Sequence, residues 1–184
     1  MRFIDFLLRK IQAINRVTLF ICKYTTILLV AAITIVVCAG IFWRYFLNNS
    51  LAWTEETSKF LMVWMVFTGI PLALKSGAHA AIEALPNALP EKSRQTLYAF
   101  IYLFIIVLMT VLIQQGWLFA YNARLQETST TQVSMMFVFI SMPIGGVLMF
   151  LVALELFIQA IIGIYQPQQG VHPRDLDTNQ VTAE

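Results

Sequence analysis

Arg44 and Tyr45, followed across a short loop by Trp53, Glu55 and Glu56, form the densest grouping of chemically capable side chains in this sequence. A guanidinium beside a carboxylate can make a two-pronged, charge-assisted pair. Arg44 with a carboxylate at the start of the next helix, Glu55 or Glu56, would lock the hairpin between the helices that carry them. In the competing arrangement each side chain reaches separately to lipid headgroups. Trp53, Glu56, Phe60, Trp64, Phe67 and Pro71 recur every three or four residues and so share one helix face. An aromatic stripe alone is ordinary packing or lipid contact, and Trp53 alone suits an interfacial belt. With Glu56 in the stripe, a protein surface is the better match for that face.

Other chemistries find no residues. His79 and His172 both fall outside the apolar stretches, so no pair of histidines can hold a haem between helices. There is no Cys/His cluster for zinc, no glycine-rich phosphate loop and no nucleophile elbow. Cys22 and Cys38, on one helix, would stand roughly 24 Å apart and cannot bridge. The chain is therefore not expected to be an enzyme, and no cofactor or metal is implied. No basic tract suits nucleic acid. Glu155 is the one ionisable residue that a path through the last span could use. Counting about 20 residues from Val133 places it at the membrane boundary, as an interfacial glutamate.

The elements that position these groups follow from composition. Of the 184 residues, 59% are hydrophobic and 12% charged, and the mean hydropathy is +0.73. A soluble domain carries roughly a quarter charged residues, so lipid is the natural solvent for this chain. Charge-free stretches lie between Lys23 and Arg44, Lys59 and Lys75, Arg94 and Arg124, and Glu127 and Glu155. A helix needs about 20 residues to cross the hydrocarbon core. The second stretch falls short and is extended back to Trp53, with Glu55, Glu56 and Lys59 in its opening turns and Thr54 as a cap. There the carboxylates meet the positive end of the helix dipole and can pair with Lys59. Pro71 is expected to kink this helix. The predicted fold is an all-α integral membrane protein with four transmembrane helices, about 24–46, 53–75, 94–121 and 132–156. Pro143, with Gly145 and Gly146, interrupts the last of them, and the glycines allow close helix approach.

Of the 12 Lys and Arg residues, only Arg44, Lys59 and Arg124 fall on the side opposite the termini. The excess of Lys and Arg at the other side puts both ends of the chain in the cytoplasm. In residues 1–22, charges recur too often for the apolar core of a signal peptide. Asp5, Arg9, Gln12 and Arg16 line one helical face, and Ile4, Leu7, Leu8, Ile11 and Ile14 the other. This reads as an amphipathic helix on the cytoplasmic leaflet, the alternative being a water-exposed extension of the first span. Residues 23–165 form the membrane domain. The Leu85–Arg94 segment is a turn, with Pro90–Glu91 opening the third span. Residues 166–184 are polar and expected to be disordered.

At these residues the chain resembles a known family, the small four-helix membrane subunit (DctQ-like) of tripartite ATP-independent periplasmic, or TRAP, transporters. The family pattern is an aromatic, a skipped residue, Arg-Tyr, a short loop, Trp-x-x-Glu, an aromatic helix with Trp, a Gly, and a His in the next loop. Here FWRYFLNNSLAWTEETSKFLMVWMVFTGIPLALKSGAH supplies Arg44, Tyr45, Trp53, Glu56, Trp64, Gly69 and His79 in that order. Glu83 follows as the acidic residue expected after the His, and Pro143 with Gly145 matches the family's Pro-x-Gly. The likeness covers residues from about 25 to 160.

The resemblance implies a subunit of the bacterial inner membrane. Its partners are a large membrane subunit that carries the substrate and ion sites, and a periplasmic solute-binding protein that delivers an organic acid, such as a C4-dicarboxylate or sialic acid. A sodium gradient drives uptake. The small subunit braces the fixed scaffold and helps dock the binding protein. Arg44 and Glu56 are then an architectural pair, Trp53, Phe60 and Trp64 partner-facing packing residues, and His79 either part of the family signature or a loop cap. Two rivals stand beside this reading. A self-sufficient oligomeric exporter would need Glu155 as an essential carboxylate, and a membrane anchor of an enzyme would hold haem or quinone.

Overall fold

The structure is a computed structural model, and it describes residues 2–76 and 90–165. His79, Glu83, the turn before Pro90 and the C-terminal tail lie outside the described residues. The described residues form five α-helices: α1 (Arg2–Phe46), α2 (Ala52–Lys75), α3 (Glu91–Asn122), the single-turn α4 (Met136–Phe139) and α5 (Ser141–Tyr165). Four segments are long and apolar enough to cross a membrane: Leu8–Phe46, Ala52–Lys75, Ser93–Leu125 and Met136–Ile164. The chain is thus an all-α membrane protein, as its sequence predicts. The described residues hold no β-strand beyond one isolated bridge, Glu127 to Ser134.

α1 is one unbroken helix. Residues 2–22 continue into the first span without a turn, so the amphipathic segment and the span are covalently one element. Its inward face carries Asn15 and Cys22, both buried, while Ile14, expected on the apolar face, is 54% exposed. α1 ends where Asn48 adopts a left-handed backbone, φ 51°, and Leu47 and Asn49 both donate to the Trp43 carbonyl. Asn tolerates that conformation better than most residues. α2 then begins at Ala52, with Leu51 at the cap position and no side-chain cap. Thr54, expected to cap, instead donates its hydroxyl to the Leu51 carbonyl at 2.7 Å.

In lipid there is no hydrophobic drive between helices, so association rests on close packing and hydrogen bonds. Small residues sit at each contact accordingly. Gly40 of α1 meets Thr54 of α2, and the hydroxyls of Thr26 and Thr68 lie 3.2 Å apart. Gly116 of α3 meets Met142 and Pro143 of α5, and Gly146 meets Ile113. α5 is the central element and packs on α3, α2 and α1. Around it Leu74, Tyr98, Tyr102, Val152, Ala153, Leu156 and Ala160 form the buried core.

Two prolines shape this packing. Pro71 lies inside α2 and has no N–H to donate to the Phe67 carbonyl one turn back. Gly145 of α5 lies over that carbonyl, where an added Cβ would stand 2.9 Å from the oxygen and 2.7 Å from Phe67 Cβ. Pro143 likewise offers no N–H to the Phe139 carbonyl, and the helix breaks there, between α4 and α5. The interruption expected around Pro143 therefore falls just upstream of it, and Pro143 occupies the first turn of α5, where its missing donor costs nothing. The last span, expected to end near 156, continues to Tyr165.

Candidate functional site

The described carboxylates that bond other elements gather at the two ends of the helix bundle. At the α1–α2 hairpin end, Arg44 donates to Glu55 and lies 3.4 Å from the Ser50 hydroxyl. The partner expected for Arg44 was Glu56. Adjacent residues on a helix point about 100° apart, and with α2 starting at Ala52 it is Glu55 that faces α1. Both members of the Arg44–Glu55 pair are about half exposed, 49% and 58%, so the pair orients the hairpin more than it stabilises it.

Glu56 faces the other way. Its carboxylate accepts from the backbone N–H of Thr131 at 2.9 Å and from the Thr131 hydroxyl at 3.0 Å. Thr131 lies in the loop between α3 and α4. That loop is tied down from within: Thr128 and Thr131 hydroxyls are 2.7 Å apart, Val133 N–H donates to Thr128, and the Ser134 hydroxyl donates to the Arg124 carbonyl. One carboxylate thus clamps the second hairpin to the first. Further along the same face of α2, Trp64 Nε1 donates to the Phe137 carbonyl of α4 at 3.0 Å, and Phe67 packs on Gly145. Within the stripe, Glu56, Trp64 and Phe67 thus engage this chain's own loop, α4 and α5.

The other residues singled out in the sequence are spread over the same end and the α2–α5 contact. Tyr45 (76% exposed) and Trp53 (43%) point outward. Phe60 is half-buried and lines a cleft of about 590 Å³ with Glu55, Glu56, Lys59, Glu127 and Thr128. Gly69 meets only the Thr26 methyl, at 3.9 Å from an added Cβ, which is ordinary contact. Pro143 and Gly145 are buried. Among the described residues no three His, Cys, Asp or Glu side chains come together as metal ligands.

The second cluster was not expected. Glu155 is 3% exposed. It accepts from Asn15 Nδ2 of α1 at 2.7 Å, from Lys75 Nζ of α2 at 2.7 Å and from Gln159 Nε2 at 3.1 Å. Asn15 also donates to the Leu151 carbonyl at 3.0 Å. Three helices meet at this carboxylate. A count from Val133 places Glu155 at the span's end, but α5 starts at Ser141, and Glu155 lies about 15 Å from its far end at ~1.5 Å per residue. A lone acid in the last span, with Lys75 closing the second and Asn15 in line with the small residue Cys22, was the available signal.

Taken together these features define a four-span membrane protein that spends its charges on holding its own helices together. A profile describing the DctQ component of tripartite ATP-independent periplasmic transporters matches residues 33–163. The sialic acid TRAP transporter small permease protein SiaQ of Vibrio cholerae is 32% identical over 130 residues, 71% of this chain and 75% of that protein. The sialic acid TRAP transporter permease protein SiaT of Haemophilus influenzae is 30% identical over 62% of this chain and 18% of its own length. The C4-dicarboxylate TRAP transporter small permease protein DctQ of V. cholerae is 28% identical over 46% of this chain and 36% of that one. The chain belongs to the DctQ family of TRAP transporter membrane components. It is a multi-pass protein of the bacterial inner membrane, and its relatives are transporter subunits rather than enzymes.

Proposed function

We propose that this chain is the small subunit of a sodium-driven TRAP transporter and that it braces a large transport subunit during uptake of an organic acid. The observation that carries this reading is the use of the charges. Glu56 is engaged by Thr131, and Glu155 by Asn15, Lys75 and Gln159. Ionisable groups that serve transport line a pathway through the membrane, whereas Glu155 is buried where three helices meet and Glu56 ties α2 to the loop after α3. A moving transport domain needs one part held still, and four helices pinned at both ends supply added width in the bilayer.

The orientation adopted is the one the Lys and Arg distribution favours, with both termini cytoplasmic and the Arg44–Glu55 hairpin outside. The cleft beside Glu56 then opens toward the periplasm, where a solute-binding protein would dock. Residues 2–22 serve as a cytoplasmic-face anchor continuous with the first span. Relatives are named for sialic acid, C4-dicarboxylate and ectoine transport. The cargo here is an organic acid of that range, selected by the binding protein and the large subunit. Sodium coupling rests on the family resemblance alone. In cells carrying the large subunit and binding protein, deleting this chain abolishes uptake under a sodium gradient. Full uptake without it would refute the bracing role.

A further inference from the structure

The outward face of α3 carries two polar side chains where lipid would be a poor neighbour. Gln114 and Gln115 are both exposed. Among the described residues neither amide makes a hydrogen bond, although the structure accounts for the polar groups of many neighbouring residues. Their depth can be read from the packing around them. Gly116 and Ile113 of α3 touch Pro143 and Gly146 of α5, and Gly145 of α5 touches Phe67 of α2. The glutamines therefore lie in the layer of Phe67. That residue stands midway between Lys59 and Lys75, about 12 Å from each at ~1.5 Å per residue. Both lysines can extend their ammonium groups away from that layer toward water. Gln114 and Gln115 thus sit near the middle of the hydrocarbon core.

The buried stripe of α3 runs through Tyr98, Tyr102, Met109, Gly116 and Ala120. At 100° per residue, Gln114 and Gln115 fall on either side of the direction opposite that stripe. Val107, Val111 and Leu118, all exposed, fill the space between. The result is an apolar ridge flanked by two primary amides. In hydrocarbon an amide without a partner carries the full penalty of desolvation. A neighbouring transmembrane helix removes that penalty by offering carbonyl, hydroxyl or amide groups across the contact. The exposed face of α1 differs: Ile27, Leu28, Val30 and Ile35 are apolar, and Thr34 satisfies itself on the Val30 carbonyl. That face suits lipid.

We propose that the outward face of α3, with Val111 and Leu118 at its centre and Gln114 and Gln115 as hydrogen-bonding flanks, docks against a transmembrane helix of the large TRAP subunit. This rests on the reading of the chain as a subunit with a large partner, and the experiment separates the two. The chain is co-expressed with the large subunit, extracted in mild detergent and captured by a tag. Wild-type capture without the large subunit overturns the partner reading itself. Given wild-type capture, the Gln114→Leu/Gln115→Leu double variant retains at least tenfold less large subunit, although leucine is the better residue against lipid. The variant's own expression and melting temperature stay at the wild-type level. A photo-cross-linking residue at Val111 forms an adduct with the large subunit, and one at Leu28 does not. An adduct from Leu28 alone, or full retention by the double leucine variant, overturns the proposal. An adduct of Val111 with a second copy of this chain also overturns it, since that assigns the face to self-association. The cross-link stands as the test even if the double variant fails to insert.

Discussion

Replacing Lys75 with methionine isolates the carboxylate buried where α1, α2 and α5 meet. Glu155 is 3% exposed and Lys75 is 24% exposed by side chain, so removing the ammonium leaves a charge in a dry site with only two amide donors, Asn15 and Gln159. Breaking a buried pair by deleting one partner costs about 3–5 kcal/mol. The partial exposure of Lys75 means water already screens part of the attraction, which favours the low end, about 3 kcal/mol. For a chain of this size ~1 kcal/mol moves the melting temperature by roughly 2–4 °C. Lys75→Met should therefore melt roughly 6–12 °C below wild type. Adding Glu155→Gln removes the stranded charge and keeps an acceptor for Asn15, so the double variant recovers most of the loss. Glu155→Gln alone loses less than Lys75→Met, because Lys75 can still reach toward water. The assay is tryptophan fluorescence melting in nanodiscs of fixed lipid composition. Lys75→Met melting within about 2 °C of wild type, or a double variant no better than the single one, would refute the reasoning.

Further outcomes follow from the contacts. Gly145→Ala places a Cβ 2.7 Å from Phe67 Cβ and must push α5 off α2, costing about 1–3 kcal/mol, whereas Gly69→Ala, making only an ordinary contact with Thr26, melts as wild type does. Glu56→Ala strips the acceptor from the Thr131 N–H; a charge-assisted bond is worth about 1.5–3 kcal/mol, so amide exchange at Thr131 quickens by roughly tenfold or more in hydrogen–deuterium exchange. Because Arg44 and Glu55 are both well exposed, Arg44→Ala leaves melting nearly unchanged, and an Arg44→Glu/Glu55→Arg exchange restores hairpin cross-linking geometry where Arg44→Glu/Glu56→Arg does not.

How far the sequence reveals this molecule depends on what each residue's position is measured against. The spans follow from where charges stop, because lipid excludes them, and that boundary is written directly in the order of residues. The outer hairpin is legible for the same reason, with Arg44 and the acidic opening of α2 flanking a loop too short to separate them. Which acid faces Arg44 is not legible, since one residue of helix start turns Glu55 inward and Glu56 away by about 100°. The burial of Glu155 is hidden because a count along the last span gives only its level, beside Lys75 at the end of α2, and not the side chains of α1 and α2 that enclose it. Asn15 escapes notice because it is a polar side chain on the apolar face of residues 4–16, in line with Leu8 and Ile11, and only contact with α5 shows what it binds. Gln114 and Gln115 read as ordinary polar residues until the layer of Phe67, Gly116 and Gly145 gives them a depth.

The most direct measurement compares vesicles of three compositions, each with the solute-binding protein outside and a sodium gradient imposed. Vesicles holding this chain with its large subunit accumulate the organic acid; vesicles holding either polypeptide alone do not. Accumulation by this chain alone would contradict the bracing role, as would undiminished uptake by the large subunit alone.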